Sequence, residues 1–190
     1  MIRHIISRIR RNHGLEHASI HVLSEKHQGF SAQGNSNHRG FYLNIYGDLD
    51  EADITAAVEE AFTRMKGGEH KLAVHPNCGT VLLTTATMTT LAAQAAFAIE
   101  QFRHKSDRTD SQVIMNGLPS AVLASVIALI LARPAGIKIQ ENYTVEGDLK
   151  EMQLVRVKKI EPNLTTRFFK MLLAGGQPLE SKSYFVETIH

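Results

Sequence analysis

The sequence predicts an α+β protein in which a small cytoplasmic domain precedes a two-helix transmembrane hairpin and a short C-terminal α/β segment. No charged residue occurs from Gly79 to Ile99 or from Ser111 to Ala132. Apolar and polar side chains alternate from Phe41 to Tyr46, as in a half-buried strand. The predicted boundaries are 1–78 for the cytoplasmic α+β domain, 79–102 for the first transmembrane helix, 103–112 for a short polar loop, 113–132 for the second transmembrane helix and 133–190 for the C-terminal cytoplasmic segment.

The N-terminal domain is predicted to have the order helix, strand, strand, helix, strand. Residues 2–24 form the first helix, with a stripe of isoleucines that we expect to face the core, namely Ile2, Ile6, Ile9 and Ile20. The other predicted elements are a strand at 29–34, a turn at 35–40, a strand at 41–46, a helix that Asp50 caps and Gly67 ends, and a strand at 71–74. After the hairpin we expect a strand at 152–160, a short amphipathic helix at 167–173 and a last strand at 184–186.

The two uncharged runs predict membrane-spanning helices. An α-helix rises about 1.5 Å per residue, so each run is long enough to cross a hydrocarbon layer about 30 Å thick. The second run is apolar on every side, whereas the first is rich in Thr and Ala and contains Gln94. Small and hydroxylated residues suit close packing between membrane helices. The alternative is a buried helical hairpin in a soluble bundle.

The basic residues predict the orientation of the hairpin. Three Lys or Arg residues lie in the connecting loop and six lie in the outer flanks, so the positive-inside bias places both termini in the cytoplasm. The single cysteine, Cys78, fits a reducing compartment. No apolar stretch follows the basic start, so we expect no signal peptide. The six flanking residues are Arg64, Lys66, Lys71, Arg133, Lys138 and Lys150.

The formal net charge of +2 gives no general attraction to nucleic acid, and we expect no nucleic-acid partner. The expected partners are the lipid bilayer and either another protein or a second copy of the chain. An integral membrane protein fits these features.

A histidine-rich segment carries the candidate chemistry. His13 and His17 are four residues apart and project from one face of a helix, with Glu16 beside them. Helical projection turns this face toward the core, where a polar group needs a partner. A metal ion or a network of hydrogen bonds would supply one. His21 lies about 12 Å from His13 along the axis, too far to share one ion with it, so it would either contact the ligands instead of the metal or belong to a different pair.

Further metal ligands are expected at the start of the first transmembrane run. Pro76 places His75 and Cys78 on a turn, and the helix dipole favours a thiolate at Cys78. Together with His13 and His17 they would form a closed tetrahedral zinc site, whereas only one of them would leave a position open for water. The alternatives are an ordinary helix-start turn, a buried polar network and axial ligation of haem.

The string from His13 to His17 reads His-x-x-Glu-His and resembles the inverted zinc-protease motif. This resemblance implies that His13 and His17 bind zinc and that Glu16 is the general base acting on metal-bound water. The further Glu ligand of that family has no clear match in this sequence.

Two runs at residues 12–21 and 72–80, followed by two spans that end at residues 131–134, resemble an uncharacterised bacterial family of small two-span membrane proteins, described as a domain of unknown function. By this resemblance we expect an integral protein of a bacterial inner or internal membrane. The resemblance covers about residues 1–160. It implies a two-span protein with a histidine-rich first helix, and it implies no activity.

The sequence therefore supports a membrane-anchored, metal-binding protein, with zinc as the expected metal and Glu16 as base if the protein is a hydrolase or peptidase. The alternative is a non-enzymatic accessory or assembly subunit of a larger membrane complex. A third interpretation is a soluble helical protein whose hairpin is buried in an oligomer.

Overall fold

The computed structural model describes residues 2–103, 110–162 and 181–190, which divide into two compact units. Met1–His75 and Glu141–His190 form one unit, here called the sheet unit, and Pro76–Gln140 form the other, the hairpin unit. Most of the predicted polar loop and the helix predicted at 167–173 lie outside the described residues.

The sheet unit contains a four-stranded antiparallel sheet, which confirms the predicted α+β class. Its strands are β1 (Ser31–Asn37), β2 (Gly40–Tyr46), β3 (Gln153–Ile160) and β4 (Ser181–Ile189), in the order β1-β2-β4-β3. β4 pairs with β2 from Gly40 opposite Glu187 to Tyr46 opposite Ser181. The strands that follow the hairpin in sequence therefore complete the sheet begun before it.

Two helices of the sheet unit agree with the sequence prediction. They are α1 (Ile2–Lys26) and α2 (Glu51–Lys66). Asp50 caps α2 because its side chain accepts a hydrogen bond from the Asp53 N–H, while the Asp53 side chain accepts one from the Asp50 N–H. Gly67 follows the last turn, where its N–H bonds to the Thr63 carbonyl.

The strand predicted at 71–74 is wrong, because His70–Ala73 form a short 3-10 helix. β2 is bordered by β1 on one edge and by β4 on the other, so no edge of β2 remains for a strand from this segment. The segment instead turns, and this turn buries Ala73 in the core.

The isoleucine stripe of α1 faces the core only in part, because Ile20 packs against it whereas Ile2 and Ile6 are exposed. The prediction that Glu16 and His17 point toward the core is confirmed, and the fully buried apolar side chains of α1 are Leu15, Ala18, Val22 and Leu23. The sheet and α2 cover the later turns of α1, and among the described residues no element covers the isoleucines of its first two turns. From Asn12 to Leu23 nearly all residues of α1 are buried or partly buried.

The core lies between the sheet and the helices α1 and α2. The alternation in β2 predicts its inward-facing residues correctly, since Phe41, Leu43 and Ile45 are fully buried. β4 adds Tyr184 and Val186 to the same cluster.

The hairpin unit consists of α3 (Gly79–Arg103) and α4 (Asp110–Ile139), and residues Gln140–Thr144 continue α4 as a π-helical turn. Gly117 lies against Phe97, and Gly136 lies against Val81, so the two helices run antiparallel. A Cβ atom at Gly136 would lie 2.9 Å from the Val81 Cα, so this glycine permits close helix packing.

Both helices are long and apolar enough to span a membrane, α4 together with its continuation to Thr144. The most apolar stretch of α3 has no buried residue, unlike the core helix of a soluble protein. Large apolar side chains are exposed along both helices, including Leu82, Leu83, Leu91, Leu123, Ile127, Leu129 and Ile130.

Candidate metal site in the sheet unit

The described residues bring four histidines of the sheet unit together, and we call this group the histidine cluster. His13, His17 and His21 lie on successive turns of α1, and His75 follows the 3-10 helix. The ring centroids are 4.3 Å apart for His13 and His17, 5.7 Å for His17 and His75, and 4.8 Å for His21 and His75. The sequence predicted His13, His17 and His75 as candidate ligands of one metal. It left His21 either in contact with these ligands or in a different pair, and His21 lies against His75.

Backbone carbonyls fix the tautomers of His13 and His17. The Nδ1 atom of His17 lies 2.7 Å from the Ala73 carbonyl oxygen, and that of His13 lies 3.0 Å from the Thr144 carbonyl oxygen. A carbonyl oxygen can only accept, so each Nδ1 carries the proton. The neutral rings therefore have their lone pairs on Nε2, as in histidines that bind a metal and are oriented by a backbone carbonyl.

The other two histidines are held in the same region. The Nε2–H of His21 donates to the Val74 carbonyl oxygen at 2.9 Å, which leaves the lone pair on Nδ1. Burial lowers the pKa of His75 to about 4, and the neighbouring His21 and His17 also lower it. His75 is therefore neutral near pH 7, the form in which imidazole binds metals.

Glu16 is buried, with 4% of its surface exposed, as is His17 with 3%. The Ser36 hydroxyl donates a hydrogen bond of 2.5 Å to Oε2 of Glu16. A Cβ atom at Gly34 would lie only 1.9 Å from Oε1, so the carboxylate occupies the space that a side chain on β1 would need. Sequence analysis did not identify Gly34 or Ser36, because neither has a spacing relationship to Glu16.

A buried polar network lies beside the cluster and joins α1 to the strands β1 and β4 at one end of the sheet. The amide of Asn12 donates to the Asn37 carbonyl oxygen at 2.8 Å, and its side-chain oxygen accepts from the Thr188 hydroxyl at 2.7 Å. These bonds satisfy a fully buried amide. The fixed position of α1 therefore does not require a metal ion.

Gly14 brings α1 close to the chain that follows α4. A Cβ atom there would lie 2.7 Å from the Glu146 carbonyl oxygen. The Glu146 N–H bonds to the Arg10 carbonyl oxygen at 3.0 Å. A larger residue at this position would move His13 away from the Thr144 carbonyl that orients it.

Cys78 belongs to the hairpin unit and immediately precedes α3. It is buried, and its sulfur accepts a hydrogen bond from the Thr80 N–H at 3.5 Å. The Cys78 carbonyl accepts from the N–H groups of Val81 and Leu82. The residue thus lies at the N-terminus of the first long apolar helix, as predicted, where the helix dipole favours a thiolate.

The chain belongs to the family described as "Domain of unknown function (DUF6391)", which matches residues 8–157. A relative named as an uncharacterized protein, from Picosynechococcus sp. strain PCC 7002, is 38% identical over 101 residues. The match covers 48% of this chain and 48% of that protein, so the chain spans about half the length of this curated relative. No solved structure matches the chain. The family supports the resemblance found in the sequence and adds no activity.

Proposed function

We propose that the protein is a membrane-anchored metal-binding protein whose site is built on His13 and His17, with zinc as the metal. One observation carries the proposal: backbone carbonyls hold the Nδ1–H groups of two adjacent imidazoles, so both Nε2 atoms carry the lone pair with which imidazole binds a metal. The ring centroids are 4.3 Å apart. Burial keeps a third imidazole, His75, neutral beside them.

Cys78 is the proposed fourth ligand, because only two residues separate it from His75 in the chain. Nitrogen and thiolate donors suit zinc better than they suit magnesium or calcium, which prefer oxygen. Four protein ligands would give a closed site that supports the fold, whereas three would leave a position for water. The metal, when bound, would supply Lewis acidity only in the second case.

Glu16 is better suited to positioning α1 than to acting as a general base. Its carboxylate accepts a hydrogen bond from Ser36, lies against Gly34 and is almost inaccessible to solvent. A base must reach a water molecule at the reacting centre. We therefore favour a non-catalytic metal site and keep hydrolysis, with Glu16 as base, as the alternative that a direct experiment separates.

The two long apolar helices support insertion of the protein in a membrane, and the distribution of Lys and Arg supports cytoplasmic termini. A second candidate role is that of an assembly subunit, which an apolar groove along the hairpin favours. The groove would accept an apolar helix of a partner or of a second copy, and it is lined by Thr89, Phe97, Leu118, Val122, Ser125 and Leu129.

Elemental analysis of the detergent-purified protein tests the metal site. We expect about one zinc ion per chain, its loss in His13→Ala/His17→Ala, and its retention in His38→Ala, which changes an exposed histidine in the β1–β2 turn. Circular dichroism of each variant reports whether it is folded. Equal zinc in the wild type and the double variant, or none in either, would contradict the proposal.

Cobalt substitution tests Cys78 separately. A thiolate ligand gives Co²⁺ an intense near-ultraviolet charge-transfer band, so we expect this band in the wild type and its loss in Cys78→Ser. A spectrum without the band, in protein that binds one Co²⁺ ion, would remove Cys78 from the ligand set and leave the histidines.

Glu16→Gln distinguishes the two roles of the carboxylate. In the positioning role we expect the variant to retain zinc and to unfold at a lower temperature, because the Ser36 bond loses its charged acceptor. In the hydrolytic role, any peptidase or esterase activity found in the wild type would be abolished with zinc retained. Co-purification with other proteins in stoichiometric amount from mild detergent would favour the assembly role.

A further inference from the structure

The first two turns of α1 carry an apolar face that the fold does not use. The exposed fractions are 74% for Ile2, 39% for Ile5 and 50% for Ile6. The later turns of α1, from Asn12 to Leu23, are buried or partly buried on every side, and Glu16 and Leu23 lie on the same side of the helix as the isoleucines. The isoleucines of the first two turns are therefore the exposed start of a face that only the later turns bury.

The residues of α1 that border this surface are basic and not acidic, while Glu146, from another segment, accepts a hydrogen bond from Ser7 on the other side of the helix. α1 has no acidic residue in its first turn, and none precedes Glu16 in the chain. Arg3 is exposed beside the isoleucines, and Arg8 is partly exposed. An apolar helical face flanked by arginines is complementary to an anionic lipid surface, into whose acyl boundary such a face inserts.

Hydrogen bonds join α1 to the segment that follows the second long apolar helix. Arg10 donates to the carbonyl oxygens of Asn142 and Val145, at 3.0 Å and 2.9 Å. The His13 bond to the Thr144 carbonyl is one turn further along α1. The segment that follows the proposed membrane span in the chain is therefore hydrogen-bonded to α1. This connection favours lipid, and not a soluble protein, as the partner of the exposed isoleucines.

We propose that the start of α1, from Ile2 to Ile9, lies in the headgroup region of a membrane that contains anionic phospholipids. Ile2, Ile5 and Ile6 enter the acyl boundary, while Arg3 and Arg8 contact phosphate groups. The inference rests on the membrane insertion in the proposed function and is independent of the metal.

A tryptophan reporter in the full-length protein tests this inference, since the chain has no native tryptophan. Ile6→Trp places the reporter on the proposed lipid face, and Ala56→Trp places it at an exposed position of α2. Each protein is reconstituted in nanodiscs of brominated phosphatidylcholine, with or without phosphatidylglycerol. Bromine quenches only tryptophan in contact with the acyl region.

We expect about twofold or stronger quenching for Ile6→Trp in discs that contain phosphatidylglycerol, and none for Ala56→Trp. Adding Arg3→Glu should reduce this quenching, as should about 1 M salt, which shortens the screening length to about 3 Å. Quenching of Ile6→Trp no stronger than that of Ala56→Trp would overturn the inference. Quenching that is equal with and without phosphatidylglycerol, and equal in high salt, would overturn the proposed attraction between the arginines and anionic lipid.

Two further measurements separate this inference from the proposed function. Resistance of the Ile6→Trp protein to carbonate extraction reports the membrane spans, whatever the position of α1. Zinc content reports the histidine cluster, whatever the lipid. A protein that resists extraction and binds zinc but shows no quenching would refute only the lipid contact of α1.

Discussion

The sheet unit and the hairpin unit place the same apolar residue types in opposite environments. Leu43 of β2 is completely buried, whereas Leu129 of α4 is 54% exposed. Within the sheet unit, burial against other side chains stabilises the fold. In the hairpin unit most of the large apolar side chains have no such cover among the described residues, and a bilayer would provide the apolar surroundings. Hydrophobicity alone therefore does not identify a core.

The largest expected effect on stability is the difference between alanine substitutions at these two leucines. We expect Leu43→Ala to lower the free energy of unfolding of the sheet unit by about 2–5 kcal/mol, because it leaves a cavity in a closed core. Leu129→Ala should cost about 1 kcal/mol or less, since lipid or detergent fills the space. Thermal or urea unfolding in mild detergent measures both changes. Equal losses would mean that the hairpin is packed like a soluble core.

The next largest expected difference is between the stability costs of alanine at one glycine of each unit. An added Cβ at Gly34 would collide with the buried carboxylate of Glu16, whereas one at Gly117 would lie 2.8 Å from the Phe97 ring at the edge of the groove. We expect Gly34→Ala to destabilise the protein by about 1–3 kcal/mol, and Gly117→Ala to cost less because the ring can rotate. Unfolding temperatures of the two variants measure this order.

A double variant tests whether the loss of stability in Gly34→Ala comes from a clash with Glu16. Glu16→Ala removes the atoms that the new methyl group would meet, so Gly34→Ala should be nearly neutral when it is added to Glu16→Ala. An additive effect in the double variant would show that the loss at Gly34 comes from the strand backbone instead.

The smallest expected effect is a dependence of the sheet unit's unfolding free energy on pH. Burial, followed by the charges of Arg11 and Arg8, lowers the pKa of His190 from 6.5 to about 4, against an opposing effect of Glu146. The unfolded chain therefore binds a proton at His190 more readily than the folded chain does. The stability that the neutral His190 contributes is lost as the pH falls from 6.5 to 4. After allowance for solvent screening, we expect a loss of about 1 kcal/mol.

His190→Gln should reduce the slope of unfolding free energy against pH in this window. His38→Gln, at an exposed turn, is the matched control and should leave the slope unchanged. Chelator-treated protein is used for both, so that metal release does not add to the slope. A slope identical in the wild type and in His190→Gln would contradict the assignment.

Local patterns in the sequence were enough to predict the helices, the cap at Asp50 and the inward face of β2, because hydrogen bonding and side-chain alternation repeat over short distances. They were also enough to identify the two long apolar helices and to bring His13 and His17 onto one side of α1. These features depend on residues no more than a few turns apart.

The tertiary structure decided what depends on distant parts of the chain. Residues Ser181–Ile189 pair with β2 and so leave His70–Ala73 outside the sheet. The Glu16 carboxylate lies against Gly34 and accepts a hydrogen bond from Ser36. The carbonyls of Thr144 and Ala73 fix the tautomers of His13 and His17. The periodicity of α1 determined its amphipathic faces, but only the packed sheet and α2 determined which of those faces is buried, because burial requires a neighbouring surface and a helix alone has none.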